Sequence, residues 1–103
     1  MPTPHLQRVA WDGARVIVHA SADNDWAVWF ANWLNAQAGP PWGQLVMESR
    51  ARMVHGYGYE SAALESGLWR VRLGDLMEER PDLIRPLAEI FRDTTDQLRA
   101  AAA

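Results

Sequence analysis

The segment SADNDWAVWFANWLNAQAGPP, residues 21–41, constrains the fold of this chain more than any other. Trp26, Trp29, Phe30, Trp33, Leu34 and Gln37 follow one another at i, i+3, i+4, i+7, i+8 and i+11. That spacing lines one side of an α-helix, so it predicts an amphipathic helix with a heavy aromatic stripe. Ser21, Asp23 and Asn24 precede the stripe, and each carries an oxygen able to accept from the free N–H groups of a helix start. Gly39 suits the left-handed residue that closes a helix, and Pro40-Pro41 forbids continuation. Trp29 and Trp33 are expected to be largely buried.

The flanking segments read differently. Residues 6–20, LQRVAWDGARVIVHA, suggest a β-hairpin turning at Asp12-Gly13, where a two-residue turn needs positive φ. Leu6, Arg8 and Ala10 alternate with Gln7, Val9 and Trp11, and the second strand is apolar on both sides around Ile17, as a central strand would be. In residues 44–56 an inward set of Leu45, Met47, Ser49, Ala51 and Met53 favours a strand over the thinner helical stripe of Leu45, Val46, Ser49 and Met53. In residues 67–73, Trp69, Val71 and Leu73 alternate with Arg70 and Arg72, again strand-like, and residues 57–66 read as a loop with room for a short helix ended by Ser66-Gly67. A short helix at residues 76–80 is stopped by Pro81. Asp82 then opens a C-terminal helix with Leu83, Ile84, Leu87, Ile90, Phe91 and Leu98 on one side. The expected architecture is a single α+β domain over residues 1–103. It consists of an N-terminal β-hairpin, the Trp-rich amphipathic helix, further antiparallel strands and a C-terminal helix.

Composition narrows the chemistry by exclusion. The 103 residues are 49% hydrophobic and 22% charged, as in an ordinary globular domain. No apolar run approaches the ~20 residues of a membrane span. The N-terminus lacks the basic start and apolar stretch of a secretory signal, so a cytoplasmic location is expected. The absence of cysteine removes disulfides, thiolate metal sites and a cysteine nucleophile. All ten basic residues are arginine, which removes Schiff-base chemistry and a P-loop lysine and points to a GC-rich bacterial genome. Net charge is −3, and residues 74–103 hold seven acids against four arginines, which argues against nucleic acid as a partner. The same balance counts against reading residues 61–76 as a DNA-binding helix–turn–helix. No cofactor and no metal site are expected.

Three constellations are candidate sites. His19, Ser21 and Asp23 cluster after a predicted strand, where ligands often bind, although the same Ser and Asp suit a helix start. His55 and Tyr57, within HGYGYE, offer polar handles in a glycine-rich loop. Arg50, Arg52, Arg70 and Arg72 would project from one side of a sheet if both segments were paired strands, and would then suit an acidic partner. Six tryptophans are many for one small core. Trp11, Trp42 and Trp69 are therefore candidate interface residues, with Trp42 in the Pro-Pro-Trp-Gly loop the first choice.

Residues 15–39, RVIVHASADNDWAVWFANWLNAQAG, resemble the opening of bacterial TIR domains. In that family a first strand runs into a small-polar loop and then a helix bearing Asp-Trp-Ala-x-Trp, here Asp25, Trp26, Ala27, Val28 and Trp29. The resemblance implies a strand at residues 17–20 and a ligand loop at Ser21 and Asp23. No catalytic residue is carried over, because no segment here matches the family's glutamate-bearing helix. Two functions are expected. The first is a small cytoplasmic protein-interaction module (an adaptor, inhibitor or immunity-type factor) that binds a protein partner or itself. The second is a small-molecule or nucleotide-binding domain, TIR-related, built on His19, Ser21, Asp23, His55 and Tyr57.

Overall fold

A computed structural model describes residues 5–56 and 59–102. They form five α-helices and one 3-10 turn: α1 Leu6–Ala20, α2 Asn24–Ala38, α3 Trp42–His55, α4 Tyr59–Glu79, the turn Pro81–Leu83, and α5 Ile84–Ala102. No strand occurs among the described residues. The expected α+β architecture, with its hairpin and antiparallel strands, is therefore replaced by an all-helical bundle. The strand implied by the TIR resemblance is likewise absent, since residues 17–20 are the last turn of α1.

The helical order has a local cause in each segment. In α1 the buried residues are Val9, Ala10, Gly13, Ala14, Val16, Ile17 and Ala20, a helical stripe of mostly small side chains. The alternation that suggested a strand set Arg8 on the same side as Leu6 and Ala10, whereas Arg8 lies on the exposed side with Asp12 and Ala10 is buried. Asp12 sits 4.0 Å from Arg8 and 3.6 Å from Arg15, at i−4 and i+3, which are helix-surface spacings. Gly13 is not a turn residue and does not have positive φ; among the described residues only Gly39 does, at 85°. A Cβ on Gly13 would fall onto the Phe91 ring, 2.6 Å from Cζ. Glycine is thus required there by close helix packing.

α2 fills the stretch read as helical. The Asp23 side chain accepts from the Trp26 N–H at 3.1 Å, and Gly39 ends the helix with its N–H on the Asn35 carbonyl at 2.9 Å. The inward side is Ala27, Phe30, Ala31 and Leu34, with Trp26 and Trp33 half-buried. Trp29, expected inside, is 42% exposed. Asn35 Oδ1 then accepts from the Gly43 N–H at 2.7 Å and starts α3 directly after the prolines. In α3 the thinner helical stripe prevails. Val46 and Ser49 are buried while Ala51, read as inward, is exposed.

α4 merges the expected loop, strand and short helix into 21 residues. Trp69, Leu73, Leu76 and Met77 are buried at i, i+4, i+7 and i+8, while Val71 is 59% exposed. Alternation over residues 67–73 was a short sample of a helical stripe. The helix–turn–helix reading fails for the same reason, because residues 61–76 lie within one helix. α1 occupies the middle of the bundle, packed chiefly on α4 and then α5, while α2 pairs with α3. One core draws on all five helices, with Trp69, Phe30, Phe91, Ile17 and Leu34 its largest fully buried members.

Candidate functional site

The residues singled out around His19 are dispersed by the fold. His19 opens onto a depression of about 690 Å³ between α1, α3 and α4, walled by Val18, Ala22, Met53, Ala62 and Ala63 and without a carboxylate in its lining. Ser21 is buried at the end of α1, where its carbonyl accepts from Arg50 Nη1 at 2.8 Å. Asp23 caps α2 and lines a different cleft, between α2 and α5, with Asp25, Trp26, Trp29 and Asp93. His55 is exposed at the end of α3, and Tyr57 lies outside the described residues. No group of three or more His, Asp or Glu side chains able to hold a metal occurs among the described residues.

The four arginines do not share a side either. Arg50 serves the Ser21 carbonyl, and Arg70 lies over the Trp11 ring, 4.2 Å from its centroid. Arg72 stands 5.3 Å from the centroid of Trp69. Arg52 donates from both Nε and Nη2 to Glu65, each at 2.8 Å. With them falls the expectation of a single basic sheet surface. Of the tryptophans proposed for an interface, Trp69 is wholly buried and Trp42 is half-buried at the start of α3, its ring 6.1 Å from that of Trp69. Trp11 is 59% exposed.

Between α3 and α4 the structure contains a polar network that the sequence did not signal. Ser49 Oγ donates to Glu65 Oε1 at 2.6 Å and accepts from Trp69 Nε1 at 2.7 Å and Arg52 Nη2 at 3.3 Å. One donor and two acceptor sites are thereby used, so this buried hydroxyl is a fastener, with no lone pair left for nucleophilic attack. Hydrogen bonds from Arg52 hold the Glu65 carboxyl below its ordinary range, against the opposing effect of burial, with further help from Ser49 and from the charges of Arg52 and Arg72. A carboxyl depressed in the folded state adds stability above its unfolded value, about 4.3, and loses it as pH falls through the folded value. Glu65→Gln is therefore expected to flatten the loss of stability below about pH 4.5 relative to the parent. Denaturant titrations across that range measure it; parallel acid limbs would remove Glu65 from the acid response.

The outer side of α4 carries three exposed apolar side chains. Leu64, Leu68 and Val71 are 70%, 46% and 59% exposed. They stand at i, i+4 and i+7, so they form one stripe, opposite the buried Trp69 and Leu73. Arg70, over the exposed Trp11, borders it on the α1 side. Read as a strand, this segment paired Val71 with Trp69 and Leu73, which hid the stripe. The 4-then-3 spacing of Leu64, Leu68 and Val71 was the signal that could have found it.

Fold and surface together define, among the described residues, a small α-helical bundle in which α4 leaves an apolar stripe exposed. Compared with known proteins, the chain matches no family model, no curated protein and no solved structure. Among the described residues no helix is long and apolar enough to cross a membrane.

Proposed function

We propose that this protein is a small protein-interaction module, of the adaptor, inhibitor or immunity-factor kind, that docks another helix on the outer side of α4. The reading keeps the cytoplasmic location expected from the sequence. The observation that carries it is the exposure of Leu64, Leu68 and Val71 in one stripe. A scattered exposed leucine needs no explanation, but an aligned set on a 21-residue helix is the pattern used for helix-on-helix recognition. The separation of His19, Asp23 and His55 from one another, with Ser21 buried, favours the same conclusion over a ligand site at those residues.

Leu64→Glu with Leu68→Glu should leave melting nearly unchanged, since both side chains are solvent-facing. It should weaken association by about 2 kcal/mol or more, roughly thirtyfold, the scale of interface hot spots. The measurement is cross-linking and co-purification of the tagged protein from its host, with His19→Asn as the comparison. Unchanged association in the double Glu variant, with loss in His19→Asn, would overturn the reading in favour of a ligand site.

A further inference from the structure

We propose that the cleft between α1 and α5 is a second site, one that binds the dianionic phosphate group of a small phosphorylated molecule. The cleft draws no residue from α4, so it stands or falls apart from the docking surface described above.

The first support is a pattern shared by two helices. α1 holds Arg8, Asp12 and Arg15 at i, i+4 and i+7. α5 holds Arg92, Asp96 and Arg99 at the same spacing. In a helix this sets a guanidinium one turn to either side of a carboxylate, all on one side. The fold brings both triplets to a single cavity of about 420 Å³, within the size range of small-ligand pockets. Val9, Ala88 and Phe91 supply its apolar wall.

The second support is the way the arginines of the chain are engaged. Arg50, Arg52 and Arg80 donate hydrogen bonds of 2.8 Å to oxygen acceptors, and Arg70 and Arg72 lie over tryptophan rings. Among the described residues the other five make no hydrogen bond and no ring contact. Four of those five line this cleft; the fifth, Arg85, does not. The ion pairs around the cleft are long. Asp12 stands 4.0 Å from Arg8 and 3.6 Å from Arg15, and Arg92 stands 3.8 Å from Asp93. Among the described residues Asp96 and Arg99 have no ion pair, and none crosses from α1 to α5. The guanidinium N–H groups are therefore open to a ligand.

Charge selects the ligand. Four arginines and two aspartates leave a positive excess in this cleft, within a chain whose net charge is −3. His5 also lines it and adds charge only when protonated. A phosphomonoester carries about 1.5–2 negative charges at pH 7 and three strong acceptor oxygens. Planar guanidinium forks from both helices can meet it bidentately. A carboxylate, with one charge and two oxygens, leaves half of the excess unmatched. A nucleic-acid backbone needs an extended basic stripe, whereas the rest of the chain is net acidic.

The test is isothermal titration of the full chain at low ionic strength with inorganic phosphate, glycerol phosphate and acetate, each against chloride at matched ionic strength. Both phosphates should bind with a dissociation constant of about 1 mM or below, and acetate at least about tenfold more weakly. The tighter of the two identifies the source, glycerol phosphate standing for an organic ester and inorganic phosphate for the free ion. Arg15→Gln and Arg99→Gln should each weaken binding about tenfold. Arg85→Gln makes the same change in net charge and should leave it within about twofold, because that side chain is outside the cleft. Asp96→Asn should tighten binding. All four side chains are exposed, so the far-UV circular dichroism of each variant should match the parent. The site is overturned if neither phosphate binds beyond chloride, if acetate binds as tightly as phosphate, or if Arg85→Gln loses as much as Arg99→Gln.

Discussion

Trp69→Ala lowers the unfolding free energy by about 3–5 kcal/mol, the range for removing a large buried aromatic. Trp69 is fully buried, its ring 6.1 Å from that of Trp42, and its indole N–H donates to Ser49 at 2.7 Å. Truncation therefore leaves a cavity at the α3–α4 contact and removes a donor from the Ser49–Glu65–Arg52 network. Against a typical total of about 5–15 kcal/mol, the loss is at least about a fifth of the stability. Trp69→Phe separates the two contributions. It keeps most of the volume and loses the N–H, and should cost on the order of 1–2 kcal/mol. Urea unfolding followed by far-UV circular dichroism measures both. An alanine variant destabilised by less than about 1 kcal/mol would mean that Trp69 does not anchor α4 in the core.

Gly13→Val is expected to cost at least about 1–3 kcal/mol by overpacking, with the strain located at Phe91. The Phe91 ring occupies the space a side chain at position 13 needs, and it is held there by stacking on Phe30 at 6.4 Å between centroids. The ring has little room to give, because Phe91 is 2% exposed and Phe30 1%. Gly13→Ala carries the smaller version of the same clash, opposed by a gain in helix propensity of up to about 1 kcal/mol. Phe91→Leu should partly rescue Gly13→Val, since it removes the atoms that collide. A double-mutant cycle by denaturant unfolding reads the coupling. Strict additivity of the two changes would place the cost of Gly13→Val elsewhere than at the Phe91 ring.

Position 13 also illustrates how a sequence signal can mislead. Asp-Gly is a strong hairpin turn when the chain around it alternates, and residues 6–20 can be read as alternating. The same residues also carry the period of a helix, with Leu6, Val9, Ala10, Gly13, Ala14 and Ile17 at i, i+3, i+4, i+7, i+8 and i+11. Two periods fitted one stretch, and the glycine decided wrongly between them. Its cause lies on a helix more than seventy residues away in the chain. Residues 67–73 repeat the lesson in a shorter window, where Trp69, Val71 and Leu73 alternate although Trp69 and Leu73 are buried on one side and Val71 is exposed on the other.

What the sequence determined by itself was local. The cap at Asp23, the stripe through Phe30 and Leu34, and the stop at Gly39-Pro40-Pro41 specify α2 because each acts within a few residues along the chain. The helical character of the C-terminal segment, with Leu87 and Phe91 inward, was legible for the same reason. The direction in which the large side chains point was decided by tertiary packing. Three tryptophans share the sequence stripe of α2, yet Phe30 takes the core position, stacked on Phe91 of α5, and Trp29 is left 42% exposed. The Ser49–Glu65–Arg52–Trp69 network and the open stripe on α4 joined no sequence reading. Each depends on which sides of α3 and α4 meet, and that is set by how five helices share one core.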